Sequence, residues 1–238
     1  MSAVDGNFIV GIARCNEPDD IFEQTIASIA TSSRLPTRVV IIDNGDVPLA
    51  RSALSPLPVN ALIDRCPENL GCAASWNLLL RWAFASPDRP TPIILNADTA
   101  VAPDTLAKMM VERSPTCILA YGFGCFRLDE EVFAAVGDFD EGFYPCYCED
   151  VDYRHRMKLL GITPVEWPIF PALEVAPGRL RAPTGIVHGK HQEVGYQGWS
   201  GEKAAWFAGK LEENKARYVR KWGGTPYEEK YSEPFNGR

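Results

Sequence analysis

Val39-Val40-Ile41-Ile42-Asp43-Asn44-Gly45-Asp46 decides how the rest of the chain is read. Four β-branched apolar residues in a row, with no polar alternation, suit a strand buried on both faces, as in a parallel sheet covered by helices. The run stops on a strong turn signal. The same plan recurs on either side. Residues 7–13 form an apolar run that leads into Arg14, Cys15 and Asn16. Pro92-Ile93-Ile94-Leu95 closes on Asn96-Ala97-Asp98-Thr99. Residues 59–64 read as a further strand. Helix-period segments lie between: residues 20–32, with Ile21, Phe22, Ile26 and Ile29 on one face, and residues 72–84.

Downstream, helices are expected over residues 103–112, 129–136 and 150–160, the last stopping at Gly161, with an extended stretch at 117–127. Residues 162–187 are Pro-rich with short extended pieces. Residues 202–222 form a long amphipathic helix with Phe207, Leu211, Tyr218 and Trp222 on its apolar side. Strands and helices alternate, which argues an α/β fold with a mostly parallel central sheet, helices on both faces and a C-terminal helix. Ligands in such sheets bind beyond the carboxyl ends of the strands. The clusters at 14–16, 43–46 and 96–99 all follow strands, so the topology gathers them on one rim.

A length of 238 residues fits one large domain, or one domain with a short appendage. The net charge is −7, from 24 Lys+Arg against 31 Asp+Glu, the wrong sign for a chain that wraps a nucleic-acid backbone. With 46% hydrophobic and 23% charged residues, the chain is not disordered. No apolar run nears the ~20 residues that span a bilayer, and no signal peptide is visible. The 7 cysteines are scattered without a C-x-x-C pair. A reduced, cytoplasmic chain is the expectation.

The rim clusters suit a particular chemistry, each with a plainer reading beside it. Asp98 ends a buried strand, where a carboxylate can hold a hard divalent cation that takes further ligands from substrate phosphates; a strand-end turn alone also favours Asn and Asp. Asp43 can accept from a ribose or a base edge, or simply close a turn. Glu149, Asp150 and Asp152 follow Phe143-Tyr144-Pro145-Cys146-Tyr147 at a helix start. The helix dipole alone favours acids there. An acid beside aromatic walls also suits a general base on an acceptor hydroxyl. His188 and His191 form a weak H-x-x-H signal, and His155, between Arg154 and Arg156, is expected on a helix surface. There is no G-x-x-x-x-G-K-[ST] loop, no G-x-G-x-x-G after the first strand and no G-x-S-x-G elbow. Bound phosphates would therefore be held mainly by a metal. Lys203, Lys210, Lys215, Arg217, Arg220 and Lys221 give the last helix a basic side. It reads as a solvated face, or as a surface for an anionic membrane or acceptor.

Together these segments resemble the family 2 glycosyltransferases of GT-A fold, especially their bacterial rhamnosyltransferase-like branch. Residues 69–77, with Asn69, Gly71 and Asn77, are similar to the family's N-x-G-…-N segment. Residues 94–99 look like its L-N-x-D-T version of D-x-D. Residues 137–143 with 149–152 resemble its F-D-E-x-F…E-D-x-D segment, and Arg156 falls where the family has an Arg. Lys221-Trp222-Gly223 resembles a common ending.

The resemblance implies a nucleoside-diphosphate sugar donor, a UDP- or dTDP-sugar foremost. It also implies inverting transfer to an acceptor hydroxyl with Mn²⁺ or Mg²⁺. Arg14, Asn16, Asp43, Asn69, Gly71, Asn77 and Asn96 then fall on the donor, and Asp98 with His188 on the metal, His191 competing for the latter role. Asp150 falls as the base with Glu149 beside it, and Asp152 and Tyr147 on the acceptor. Residues 1–200 would form the transferase domain, with donor binding in about 1–100 and acceptor binding in about 101–200, and 201–238 would pack on it. The acceptor would be a glycan, a lipid-linked glycan or a protein, with nucleic acid disfavoured. The enzyme would be cytoplasmic, or peripheral at the inner membrane face. Asn96 replaces the first acid of D-x-D and removes a carboxylate near the metal. A sugar-nucleotidyltransferase and a degenerate nucleotide-sugar-binding or glycan-binding module are the competing readings.

Overall fold

The computed structural model describes residues 6–112, 115–120, 122–167 and 201–237, and the backbone alone of 173–176, 179–181 and 187–189. The main sheet has seven strands: β1 (Phe8–Arg14), β2 (Arg38–Asp43), β3 (Asn60–Arg65), β4 (Thr91–Asn96), β6 (Cys117–Leu119), β7 (Cys125–Leu128) and β8 (Val165–Glu166). Their order is β3-β2-β1-β4-β7-β6-β8. β7 pairs antiparallel with both neighbours and is the one reversed strand. The expected extended stretch at 117–127 is thus two antiparallel strands. A second, smaller sheet joins β5 (Thr99–Ala100), β9 (Leu173–Ala176), β10 (Arg179–Arg181) and β11 (Val187–Gly189) in the order β5-β11-β10-β9. Strands of two to four residues are too short to carry a period, so this sheet has no sequence signature.

Alternation along β1 builds the two-sided core. Phe8, Val10 and Ile12 face Phe22, Ile26 and Ile29 of α1 (Asp19–Ala30), together with Val39, Ile41, Ile93 and Leu95. Ile9 faces the other way, with Val40, Ile42, Ile94 and the helix α2 (Cys72–Ala85) through Trp76, Leu79 and Leu80. Gly11 lies under α2. A Cβ there would stand 2.8 Å from Ile94 Cδ1 and 3.1 Å from Leu79, so the missing side chain lets helix and sheet approach. The helices α3 (Thr105–Val111), α4 (Glu130–Val136) and α5 (Glu149–Leu159) complete the two layers. The register sets the strand ends level: Arg14 lies opposite Asp43, and Ala13 opposite Asn96.

α6 (Gly201–Trp222) docks through Tyr218 and Trp222, both fully buried against Phe143. Residues 223–237 then return over α5. His155, expected on a helix surface, is therefore covered. It is 6% exposed, its ring lies 4.4 Å from that of Trp222, and its Nε2 is 3.3 Å from the Tyr231 carbonyl. The basic side of α6 is largely neutralised. Lys203 pairs with Asp46, Lys210 with Glu213, Lys215 with Glu212, Arg217 with Asp140, and Lys221 with Asp140 and Asp152. Among the described residues, no helix is long and apolar enough to cross a membrane.

Candidate active site

The carboxyl ends of β1, β2 and β4 form one rim, tied together by short polar side chains. Asp43 is fully buried; its Oδ1 accepts from Arg14 Nη1 at 2.8 Å and from the Gly45 amide at 3.2 Å, and its Oδ2 from the Leu49 amide at 2.8 Å. Burial works to raise its pKa, but the Leu49 amide, the Arg14 side chain and the Gly45 amide outweigh it and hold the carboxyl below its ordinary value. Asp43 and Arg14 thus shape the loop after β2. Asn16 accepts from the Asp46 amide at 2.8 Å and donates to its side chain at 3.2 Å, locking the loops after β1 and β2 together.

The entry to α2 is built onto this rim. Asn44 accepts from the Leu70 amide at 2.9 Å and donates to Ser75 Oγ at 2.9 Å. Asn69 accepts from the Gly71 amide at 2.8 Å and donates to Cys15 Sγ at 3.5 Å. Gly71 has φ of +83° and ψ of 172°, a conformation open essentially to glycine alone. A Cβ there would come within 2.9 Å of the Pro145 carbonyl oxygen and of the Tyr144 ring, and the Cys72 amide donates to that carbonyl at 2.7 Å. Gly71→Ala is therefore expected to cost about 1–3 kcal/mol. In a thermal melt that is a fall of about 2–4 °C per kcal/mol. An unchanged melt would remove the argument for close contact.

Asn77 is corrected from its donor-binding assignment. It is fully buried, donates to the Phe139 carbonyl and Glu141 Oε1 at 2.9 Å each, and accepts from the Phe139 amide at 2.8 Å. Its amide holds the 139–141 turn. Asp152 is corrected likewise. It is fully buried at the junction of α5 and α6, bonded to Trp222 Nε1 at 2.8 Å, Arg156 Nε at 2.9 Å and Lys221 Nζ at 2.6 Å, with no side open to an acceptor. Arg156 serves the same junction, donating also to the Val136 and Asp138 carbonyls.

Asp98, 7% exposed, sits in the tight connection from β4 to β5. Thr25 of α1 fixes that connection by donating to the Ala97 carbonyl at 2.9 Å, and the half-buried Asn96 precedes it. Burial first, and then the Asp98 charge, push the Glu17 carboxyl up to about 7. Glu17 was missed in the sequence because it stands before Pro18 and reads as helix entry, although it directly follows the first strand's polar end. Backbone pairing sets His188 of β11 opposite Thr99, one residue from Asp98. The side chain of His188, and all of His191, lie outside the described residues.

The acids of α5 enter through a strained turn. Tyr147 and Cys148, with φ of 72° and 77°, are consecutive left-handed residues, and Cys148 is the cap of α5. Burial first, with Cys146 and then the Glu149 and Asp98 charges, raises the Tyr147 phenol to about 12. Glu149 is 4% exposed, and its Oε2 has no hydrogen-bond partner among the described residues. Burial and then the Asp150 charge push its carboxyl well above the ordinary value. Burial raises Asp150 too, but the Val151 amide, its own amide and Arg154 oppose the shift. Paired acids whose surroundings push them apart divide acid and base roles. Both acids are raised, Glu149 the further of the two.

Residues 9–113 match the model of Glycosyl transferase family 2. No curated protein matches the sequence. Among solved structures the chain is similar to the mannosyltransferase PcManGT from Pyrobaculum calidifontis, solved in complex with GDP-Man and Mn²⁺. Identity is 15%, coverage is 70% of this chain and 56% of that one, and the TM-score is 0.54. A 1–349 piece of TarS from S. aureus aligns at 12% identity over 64% of this chain and 55% of that one, with a TM-score of 0.46. The chain thus spans little more than half the length of the mannosyltransferase it resembles. The fold is that of the GT-A glycosyltransferases, and residues 9–113 carry the family 2 pattern.

Proposed function

We propose that the protein transfers a sugar, with inversion, from a nucleoside-diphosphate sugar to an acceptor hydroxyl. One observation supports this reading: Glu149 at the start of α5 and Asp98 at the strand rim both act on one half-buried side chain, Tyr147. A leaving diphosphate at the rim and an acceptor hydroxyl at the start of α5 would be the two ends of a displacement.

The rim chemistry fits a divalent cation. Burial, and then the Asp98 charge, raise Glu17, and a cation would relieve the part due to Asp98. Among the described residues, no group of three or more His, Cys, Asp or Glu is placed to hold a metal alone. Mg²⁺ is commonly bound through one or two carboxylates plus substrate phosphate oxygens. Asp98 would hold it, with Glu17 near and His188 brought close by strand pairing; when bound, it would neutralise the departing diphosphate. Asn16, Asn69 and Gly71 line the nucleotide side, with Arg14 and Asp43 keeping that loop in shape. Asp150 takes the acceptor proton on the opposite face, with the first-turn amides of α5 and Arg154 opposing the push of burial. UDP- or dTDP-sugars are the foremost donors, and GDP joins them because the similar mannosyltransferase holds GDP-Man.

Calorimetry and thermal shift with UDP, dTDP, GDP and CDP, each with and without Mn²⁺, test the reading. One diphosphate should bind only with metal, raising stability by about 2.7 kcal/mol at 100 times its dissociation constant. Asp98→Ala should abolish the metal-dependent part. Failure of all four diphosphates to bind, or binding indifferent to metal and to Asp98, would end the transferase proposal.

A further inference from the structure

The C-terminal helix lies outside the segment that carries the family 2 pattern, yet it grips the loop leading to the candidate base. Asn214, in the middle of α6, is 3% exposed. Asn is a poor helix former, and a buried amide needs partners. This one donates through Nδ2 to the Cys146 carbonyl at 2.8 Å and to the Tyr144 carbonyl at 3.3 Å. Both bonds fall on the three residues just before the left-handed pair Tyr147–Cys148. Such backbone persists only where its surroundings over-determine it. The Cys72 amide holds the Pro145 carbonyl from the α2 side at 2.7 Å. Beyond the pair, the Asp152 amide bonds to the Cys148 carbonyl at 3.0 Å, and Trp222 of α6 holds the Asp152 side chain at 2.8 Å. The turn is therefore clamped from both ends, and α6 supplies a clamp at each.

We propose that Asn214 is a positioning residue for Asp150: by holding the carbonyls of Tyr144 and Cys146 it fixes the left-handed turn, and with it the direction in which α5 presents its acids. This rests on the transferase reading above. Asn214 touches neither donor nor acceptor in this account. Its effect should therefore fall on turnover and spare donor binding. A misplacement of about 1 Å at a reacting group costs on the order of 100-fold.

The test compares Asn214→Ala with Tyr218→Phe. The second variant removes the hydroxyl that donates to Glu229 at 2.6 Å, one turn further along the same helix, without touching the loop. Three readouts are taken: hydrolysis of UDP-GlcNAc, UDP-glucose and GDP-mannose with Mn²⁺, affinity for UDP and GDP, and amide hydrogen exchange over residues 144–150. Asn214→Ala should lower turnover by about 10–100-fold, leave diphosphate affinity unchanged and speed exchange across the loop. Tyr218→Phe should lower the melting temperature and do none of these.

Equal losses of turnover in the two variants, loss of diphosphate affinity in Asn214→Ala, or unchanged exchange would overturn the assignment. If the wild-type protein hydrolyses none of these donors and binds none of UDP, dTDP, GDP and CDP with Mn²⁺, the transferase reading falls. Exchange alone then decides: faster exchange in Asn214→Ala only supports the clamp, and equal exchange rejects it. Should Asn214→Ala fail to fold, Asn214→Asp, of the same size but without the donor amide, serves in its place.

Discussion

Asp150→Asn should bind the same diphosphate with the same metal dependence as the wild-type protein and lose about 10²–10⁴-fold in turnover, the range that a positioned general base contributes. The expectation follows from the division between the two acids. Glu149 is the more deeply buried and is further raised by the charge beside it, so it keeps its proton. Asp150 is raised by burial and pulled back by two backbone amides and Arg154, which on the transferase reading makes it the acid that takes the acceptor proton. Its raised pKa places the acid limb of the rate–pH profile above the ordinary carboxylate range. Asparagine keeps the size and loses the basicity. A variant that turns over at the wild-type rate would remove Asp150 from the chemistry.

The second large effect is on stability. Glu149 in the folded chain holds its proton well above the ordinary Glu value of 4.5, whereas in the unfolded chain it titrates near that value. Between those two points the folded state binds the extra proton. Stability therefore falls as pH rises through that window and levels off once the folded group has ionised. Glu149→Gln has the same shape and no proton to lose. It should gain stability relative to wild type from about pH 4.5 upward, with the gain growing until the folded Glu149 pKa is passed. Denaturant unfolding at pH 5 and pH 8 measures it. A variant less stable at pH 8, or a pH slope parallel to wild type, would show that Glu149 is ionised in the folded protein.

The parts of this molecule that could be read from the chain are those in which one stretch carries its own pattern. The runs at 8–13, 39–42 and 92–95 are apolar throughout because helices cover both faces, and each is followed by polar residues that mark the rim. Asp98 stands out because it follows such an end, and Glu149 and Asp150 because they follow the aromatic stretch 143–147 at a helix start. What could not be read depends on partners far along the chain. Asp152 looks like its neighbours in sequence, yet Trp222, 70 residues later, takes its oxygen. His155 sits between two arginines, yet residues 222–231 come back to cover it. Asn77 has the spacing of a binding residue and spends its amide on Phe139. Asn214 had no local signal at all, since its partners lie 68 and 70 residues away.

That last contact has a consequence for how the protein can change. Asn214 grips main-chain oxygens, and every residue type supplies one. The side chains of Tyr144, which is 37% exposed, and of Tyr147 are not part of the grip. Replacing either ring changes the loop's surface and its contact with Trp206 or Phe207 of α6, while Asn214 can keep its hold on the main chain beneath. The loop is an exchangeable facing on a fixed mount, and on the transferase reading a changed acceptor preference is best sought at position 147, with Asn214 left untouched.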